Sequence, residues 1–302
     1  MADFPRRDFI KTGAALVAAA AVSPAFLSAR PLGRPAGIQL YTVKDELAKD
    51  FDGTLRKVAA IGYKEVEAAG FYGKSASEFR KSIERAGLTI PSAHYSLQEL
   101  LDGFDAKLSF AHELGLKYMI CSFPFVANPG RFHAEKYYEE IGSGIALDDW
   151  KWNFDQFNRL GEKTKKAGIA FGYHNHNMEF RKLDGRLVYD ELLRLTDPAL
   201  VKMEMDIGWV AGAGYDPVGY LEKYPQRYEL FHVKDINPGA PTTEGEGAGS
   251  TELGHGTIDW KKVFAAARKT SAKHYFVEQE EPFKNHPVME AIQIDYEFLG
   301  KF

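Results

Sequence analysis

One cysteine, Cys121, stands among 302 residues. A single thiol makes no internal disulfide, so a chain that leaves the cytoplasm must rest on its core alone. A thiolate metal site is excluded as well, because structural zinc sites take several cysteines. Cys121 lies in the apolar run Tyr118-Met-Ile-Cys-Ser-Phe123 and reads as a small buried residue rather than a nucleophile. A basic excess is also lacking: 38 Lys and Arg face 42 Asp and Glu, a formal net charge of −4. No global positive field points to nucleic acid, and only a local basic patch stays open. Past the N-terminal segment no apolar run approaches the roughly 20 residues that cross a bilayer. The mature chain is therefore expected to be soluble, with neither nucleic acid nor membrane as partner. No glycine-rich phosphate turn follows the first apolar run: Gly37-Ile-Gln-Leu-Tyr-Thr-Val43 leads straight into a polar helix start. That argues against an open, doubly wound sheet.

What the N-terminus does have is an export pattern. Arg6-Arg7-Asp8-Phe9-Ile10-Lys11 precedes the apolar run Gly13 to Val22, and small residues follow around Ser23-Pro24-Ala25 and Ser28-Ala29. A basic start, a short apolar stretch and a small-residue end make a signal peptide. The arginine pair, with Phe two residues on and Lys beyond, resembles a twin-arginine signal. A membrane anchor is the competing reading, and the run is short for one. We expect residues 1–29 to be the signal, cleaved after Ala25 or Ala29, residues 30–36 a linker, and residues 37–302 one folded domain. The destination would be the periplasm. The twin-arginine route carries folded proteins, which fits a metal loaded before export.

Beyond the linker, short apolar runs alternate with amphipathic stretches. The expected strands are Gly37 to Val43, Glu65 to Ala69, Ile90 to Tyr95, Tyr118 to Phe123, Ala170 to His176, Val201 to Ile207, Leu230 to Ile236 and Tyr275 to Glu280. Helical patterns lie between them, several ended by Gly, as at Gly87, Gly115 and Gly168. Strands alternating with helices imply parallel pairing and right-handed crossovers. About eight such units in one domain predict an α/β fold, a single (β/α)8 TIM barrel. Two connections are long, Pro124 to Asp149 and Asn237 to Gly256. Following strands, they would lie on the catalytic face as lids or as plain surface loops.

The last four strands end in costly groups. They read Ile169-Ala-Phe-Gly-Tyr-His-Asn-His176, Val201-Lys-Met-Glu-Met-Asp206, Leu230-Phe-His-Val-Lys-Asp235 and His274-Tyr-Phe-Val-Glu-Gln-Glu280. Imidazoles and carboxylates are expensive to bury unless paired or bound to a cation. Alternation puts His174 with His176, Glu204 with Asp206, His232 with Lys234, and Glu278 with Glu280 on shared faces. Each residue alone has a plain reading. A strand-end His can be a hydrogen-bonded core residue, Asp206 can cap the helix that follows, and Glu280 and Glu281 can be solvated. Recurrence on four successive strands favours one shared site. Mixed nitrogen and oxygen ligands suit Mn2+, Zn2+, Co2+ or Mg2+.

Tyr173-His-Asn-His176, Met205-Asp-Ile-Gly-Trp-Val-Ala-Gly-Ala-Gly-Tyr-Asp-Pro217, Phe231-His-Val-Lys-Asp-Ile236, Gly254-His-Gly-Thr-Ile-Asp-Trp260 and Phe276-Val-Glu-Gln-Glu280 also carry a resemblance. Taken in order, from about Gly37 to the C-terminus, they resemble the xylose isomerase-like TIM-barrel superfamily of sugar isomerases and epimerases, above all its inosose dehydratase-like members. The resemblance implies a divalent metal held at the barrel mouth by Glu, Asp, His and Glu. Asp206, His232 and Glu278 match three of these. The first Glu has no counterpart in kind, since its place falls at or near His174. Glu179 could supply the missing carboxylate.

The chemistry implied is proton movement beside a sugar carbonyl. His174 or His176 could act as base near neutral pH, Glu278 as the opposite acid or base, and Lys234 as a donor to the enolate or leaving hydroxyl. The competing reading of Lys234 is an ion pair with Glu204 or Asp235. Glu67, His94, Glu179 and Trp209 are candidate substrate contacts, with Tyr95 and Phe123 as further rings. The first expectation is a metal-dependent sugar isomerase or epimerase working through an enediolate. The second is a lyase of the same site, either a dehydratase or an enzyme eliminating from 3-keto-glycosides. Export and the His-for-Glu change favour the second somewhat. An apurinic endonuclease is disfavoured, because its extra histidine position holds Trp209. A non-catalytic exported sugar- or metal-binding protein is the alternative of another class. The expected partner is a small sugar or glycoside, and a homo-oligomer stays open.

Overall fold

The computed structural model describes residues 30–126, 144–237 and 249–302. Eight strands form the barrel: β1 Gly37–Gln39, β2 Glu65–Ala69, β3 Thr89–Ser96, β4 Tyr118–Phe123, β5 Ala170–His174, β6 Val201–Asp206, β7 Tyr228–Val233 and β8 His274–Val277. Each pairs in parallel with the next, and β8 closes on β1. Helices follow in turn: α1 Phe51–Ile61, α2 Ala76–Arg85, α3 Leu97–Leu114, α4 Leu147–Lys166, α5 Val188–Leu195, α6 Pro217–Lys223, α7 Trp260–Ala267 and α8 Val288–Leu299. This is the (β/α)8 barrel that the alternation predicts.

Local chemistry starts the helices where the crossovers need them. Asp50 accepts from the Gly53 N–H at the head of α1. Ser75 and Ser96 form reciprocal capping boxes with Glu78 and Glu99. Along α4, Trp150, Phe154 and Phe157 recur on one face, and Phe157 meets Tyr173 at 4.7 Å between ring centroids. Burying each such side chain stabilises the fold by about 1.5–3 kcal/mol.

Strand alternation splits the interior in two. Outward residues such as Phe171, Met203, Met205, Phe231, Val233 and Val277 join the large core under the helices. Inside the barrel only Tyr118, Ile120, Leu230 and Phe276 form a buried apolar cluster. Above that plug most of the described inward positions are polar, with Ala69 an exception at the mouth.

Several element ends differ from expectation, each for a polar reason. β1 stops at Gln39, whose side-chain Oε1 accepts from the Tyr41 N–H and opens a short helical turn, Leu40–Val43. β5 stops at His174 because Asn175 turns to bind the backbone of Asp206, accepting from its N–H (3.2 Å) and donating to its carbonyl (3.4 Å). The run ending at Ile236 is split: β7 stops at Val233, and Asp235–Ile236 instead pairs antiparallel with Ser250–Thr251. Helix α8 has no counterpart among the sequence patterns. It packs on α1, and Tyr63 Oη donates to the Ile292 carbonyl. The described part of the expected linker is not loose. Leu32 and Ala36 pack on the core, Arg268 donates to the Pro31 carbonyl, and Tyr275 to that of Arg34. The signal segment, residues 1–29, and most of both expected lids, residues 127–143 and 238–248, lie outside the described residues.

Candidate metal centre and catalytic mouth

The four strand ends converge. His174, Asp206, His232 and Glu278 are buried, and each offers one ligand atom within 4.8 Å of the other three. β5, β6, β7 and β8 supply them in that order, through the alternation that points Tyr173, Met205, Phe231 and Val277 the other way. Asp206 does both things the sequence offered. Its Oδ1 accepts from the Trp209 N–H (2.8 Å), capping the short helix Ile207–Gly212. Its Oδ2 lies 3.2 Å from the Lys234 ammonium yet makes no hydrogen bond among the described residues. The Lys234 ammonium offsets part of the cost of burying this oxygen, and its unused lone pairs leave room for a metal ion as well. Two imidazoles and two carboxylates fit a borderline divalent ion such as Zn2+, Mn2+ or Co2+. Gly208 in this segment has to be Gly: a Cβ there would lie 2.8 Å from the Lys234 carbonyl.

A second polar layer lies beneath. Glu67 accepts from His232 Nε2 (2.6 Å), from Gln39 Nε2 (2.8 Å) and from the Ser92 hydroxyl. His94 Nε2 stands 3.1 Å from Glu67 and 2.7 Å from Glu204, bridging the two carboxylates. Its ring stacks on His232 at 5.2 Å. Glu204 also faces His174 Nδ1 at 3.2 Å. Of the two imidazoles in the upper group, His232 has a carboxylate hydrogen-bonded behind it, the arrangement that fixes ring orientation in histidine metal ligands.

Charge in this stack follows from burial and partners. Burial opposes the His94 imidazolium, but Glu67 and Glu204 outweigh it and hold its pKa up at about 9. Burial opposes the His232 imidazolium too, but Glu204, Glu278 (2.9 Å) and Glu67 raise it well above the ordinary histidine range. Burial and the neighbouring Glu67 raise Glu204 to about 7. Burial drives His174 well down, helped by the cationic His232 and His94. His176 is pushed down to about 3 by burial and then by Lys234, so its ring is neutral.

The cavity above the ligand group is lined by His94, His174, His176, Glu278, Glu280, Tyr41 and Phe123, among others. Trp209 flanks it, 5.8 Å from His176 between ring centroids. Lys234 does not pair with Glu204 or Asp235. It lies 3.0 Å from Glu278 and 3.2 Å from Asp206, bonds Glu280, and sits 4.7 Å from the Trp209 ring centre. Glu280 is therefore buried rather than solvated, while Glu281 is exposed, 3.8 Å from Lys44. Two expected substrate contacts are not brought to this cavity. Glu67 lies a layer too deep, its carboxylate taken by buried donors. Glu179 faces the other side of β5, where it accepts from Tyr173 Oη and from the His176 N–H (2.9 Å). It cannot supply the missing carboxylate, because Tyr173 points away from the barrel axis. Tyr95 belongs to the outer core, and Cys121 is buried with its thiol pushed up by burial. Sequence reasoning missed Glu204 as the hydrogen-bond partner of His94 and Asp235 as a structural hub. The pairing of Glu204 with Asp206 on one face was the available signal for the first.

The chain is thus a parallel eight-stranded barrel with an imidazole and carboxylate cluster at its carboxyl-end mouth. Residues 55–300 match the family model described as xylose isomerase-like TIM barrel, and the chain belongs to that family. Residues 3–23 match a twin-arginine translocation pathway signal sequence. Among curated proteins the chain is 27% identical to an inosose dehydratase of Clostridium beijerinckii over 62% of this chain and 63% of that one. It is 24% identical to an inosose dehydratase of Bacillus cereus over 76% of this chain and 82% of that one. The match thus spans just under two thirds of the first relative's length. Among solved structures it resembles a sugar phosphate isomerase/epimerase of Parabacteroides distasonis, with 28% identity and a TM-score of 0.71, covering 87% of this chain and 96% of that one.

Proposed function

We propose that the protein is an exported, metal-dependent enzyme that removes the proton beside the carbonyl of a sugar or cyclic polyol, and that elimination follows. The observation that carries this reading is the convergence of His174, Asp206, His232 and Glu278 within 4.8 Å beneath an open mouth. These four would hold the ion. When bound, a divalent ion there would polarise the substrate carbonyl and stabilise charge on its oxygen. His176 is the base in this reading: it lines the cavity, and its Nδ1 makes no hydrogen bond among the described residues. The proton leaves the carbon next to the carbonyl, the carbon–oxygen bond one carbon further on breaks, and the departing oxygen takes a proton from His176 or Lys234. The products are an unsaturated ketone and water or an alcohol.

Two observations support elimination over the isomerisation that the sequence put first. An epimerase returns the proton to the opposite face, which calls for two bases, and one of the family's carboxylate positions here is His174. The curated relatives are named as dehydratases. The isomerase or epimerase reading keeps support from the Parabacteroides structure. The test is to incubate the metal-loaded chain with a keto-inositol, a 3-keto-glycoside and a free ketose. Elimination gives an enone, read by ultraviolet absorbance and mass, and His176→Ala lowers its rate by about 10²–10⁴-fold. Epimer formation without an eliminated product would sink the lyase reading. The twin-arginine signal supports a periplasmic destination.

A further inference from the structure

We propose that a groove beside the mouth is a second sugar subsite, and that the substrate is a glycoside whose leaving sugar rests in it. The proposal builds on the reading of the mouth as the reacting site and names its substrate class. The groove runs between the segments that follow β1 and β8, and Tyr41 and Glu280 wall both it and the mouth. A ring seated over the ligand group is therefore one linkage away from the groove. The mouth holds about 130 Å³ and the groove about 220 Å³. Only together do they reach the ~300–1,000 Å³ usual for small-molecule sites.

The groove has the chemistry of carbohydrate recognition. Gln279 lines it, is 2% exposed, and its Oε1 meets no hydrogen-bond donor among the described residues. Its backbone N–H donates to Thr42 Oγ1 (3.1 Å), which pins the strand end that carries the amide. A buried acceptor without a donor asks for a hydroxyl from outside. Around it, Lys44 lies 4.0 Å from the centre of the Tyr41 ring and 3.8 Å from Glu281, and Phe283 offers an apolar face. Aromatic surface beside polar groups suits a ring with one apolar side and several hydroxyls. A water donating to the same Gln279 oxygen is the plainer occupant, and the binding comparison below separates it from a sugar hydroxyl.

The test is equilibrium binding, read by titration calorimetry on metal-loaded protein with unreactive glucose, methyl glucoside, cellobiose and maltose. At least one disaccharide should bind about tenfold more tightly than glucose. Gln279→Ala should narrow that gap to about threefold or less. Asp45→Trp, at an exposed position on the groove rim, should do the same by filling the groove. Equal binding of mono- and disaccharides by wild type overturns the proposal, as does a gap that survives both substitutions. Failure of the underlying reading looks different: the disaccharide preference is present and lost in the variants, yet the corresponding keto-disaccharide is not turned over.

Discussion

Glu67 never touches the cavity, yet its carboxylate decides which nitrogen of His232 faces the ligand group. With Nε2 donating to Glu67 at 2.6 Å, Nδ1 is the atom left toward Asp206 and Glu278. Glu67→Gln keeps the shape and weakens the acceptor. It should lower metal affinity about 10–100-fold, read by chelator competition, while circular dichroism stays unchanged. Glu179 makes the opposite kind of prediction, on stability. Burial raises its pKa to about 7 from an ordinary 4.5. The folded state then holds a proton that the unfolded state has already released, so its contribution is intact below about pH 4.5 and lost as pH rises through 7. Relative to Glu179→Gln, wild type should lose on the order of 3 kcal/mol between pH 4 and pH 8, compared by urea denaturation at both.

At the scale of elements, Asp235 ties the segment after β7 to the barrel. It accepts from the N–H groups of Gly254 (2.8 Å), Gly256 (3.3 Å) and Ile258 (3.3 Å), and from Trp260 Nε1 (2.9 Å). Gly256 admits no side chain, because a Cβ would lie 2.1 Å from Asp235 Oδ1. Asp235→Ala strands these four donors and the Ile236 N–H (2.9 Å), and should cost about 3 kcal/mol or more, seen as a lower urea midpoint at unchanged slope. The Gly254-to-Trp260 motif was visible in the sequence, but its reason was not, since the acceptor stands some twenty residues earlier. The same limit applies across the molecule. Period-two alternation made His174, Asp206, His232 and Glu278 legible, because facing depends only on position along one strand. The links from His94 to Glu67 and Glu204 join β2, β3 and β6, and their register is set by how the ring closes. Strand ends were misjudged where a side chain captured backbone, as Gln39 and Asn175 do. Helix α8 was missed because no ligand-bearing run follows it to frame its pattern.

For the whole molecule, the charged stack inside the barrel makes stability answer to metal. Binding to the folded state alone stabilises by about 2.7 kcal/mol at a hundredfold excess over Kd. For a chain of this size that is a rise of about 4–5 °C in Tm. Chelated protein titrated with Mn2+, Co2+ or Zn2+ should show it by scanning calorimetry, and His174→Ala should show much less. A wild-type Tm indifferent to all three ions would count against the ligand group.

The short ladder of Asp235–Ile236 with Ser250–Thr251 has a wider meaning. Together with the Asn237 side chain, which donates to the Ser250 carbonyl (2.9 Å), it clamps the chain where it leaves β7 and where it returns. Whatever is threaded between those two points enters and exits through one fixed neck. A change of sequence between those points therefore leaves the clamp, and the strand end carrying His232, with their own backbone partners.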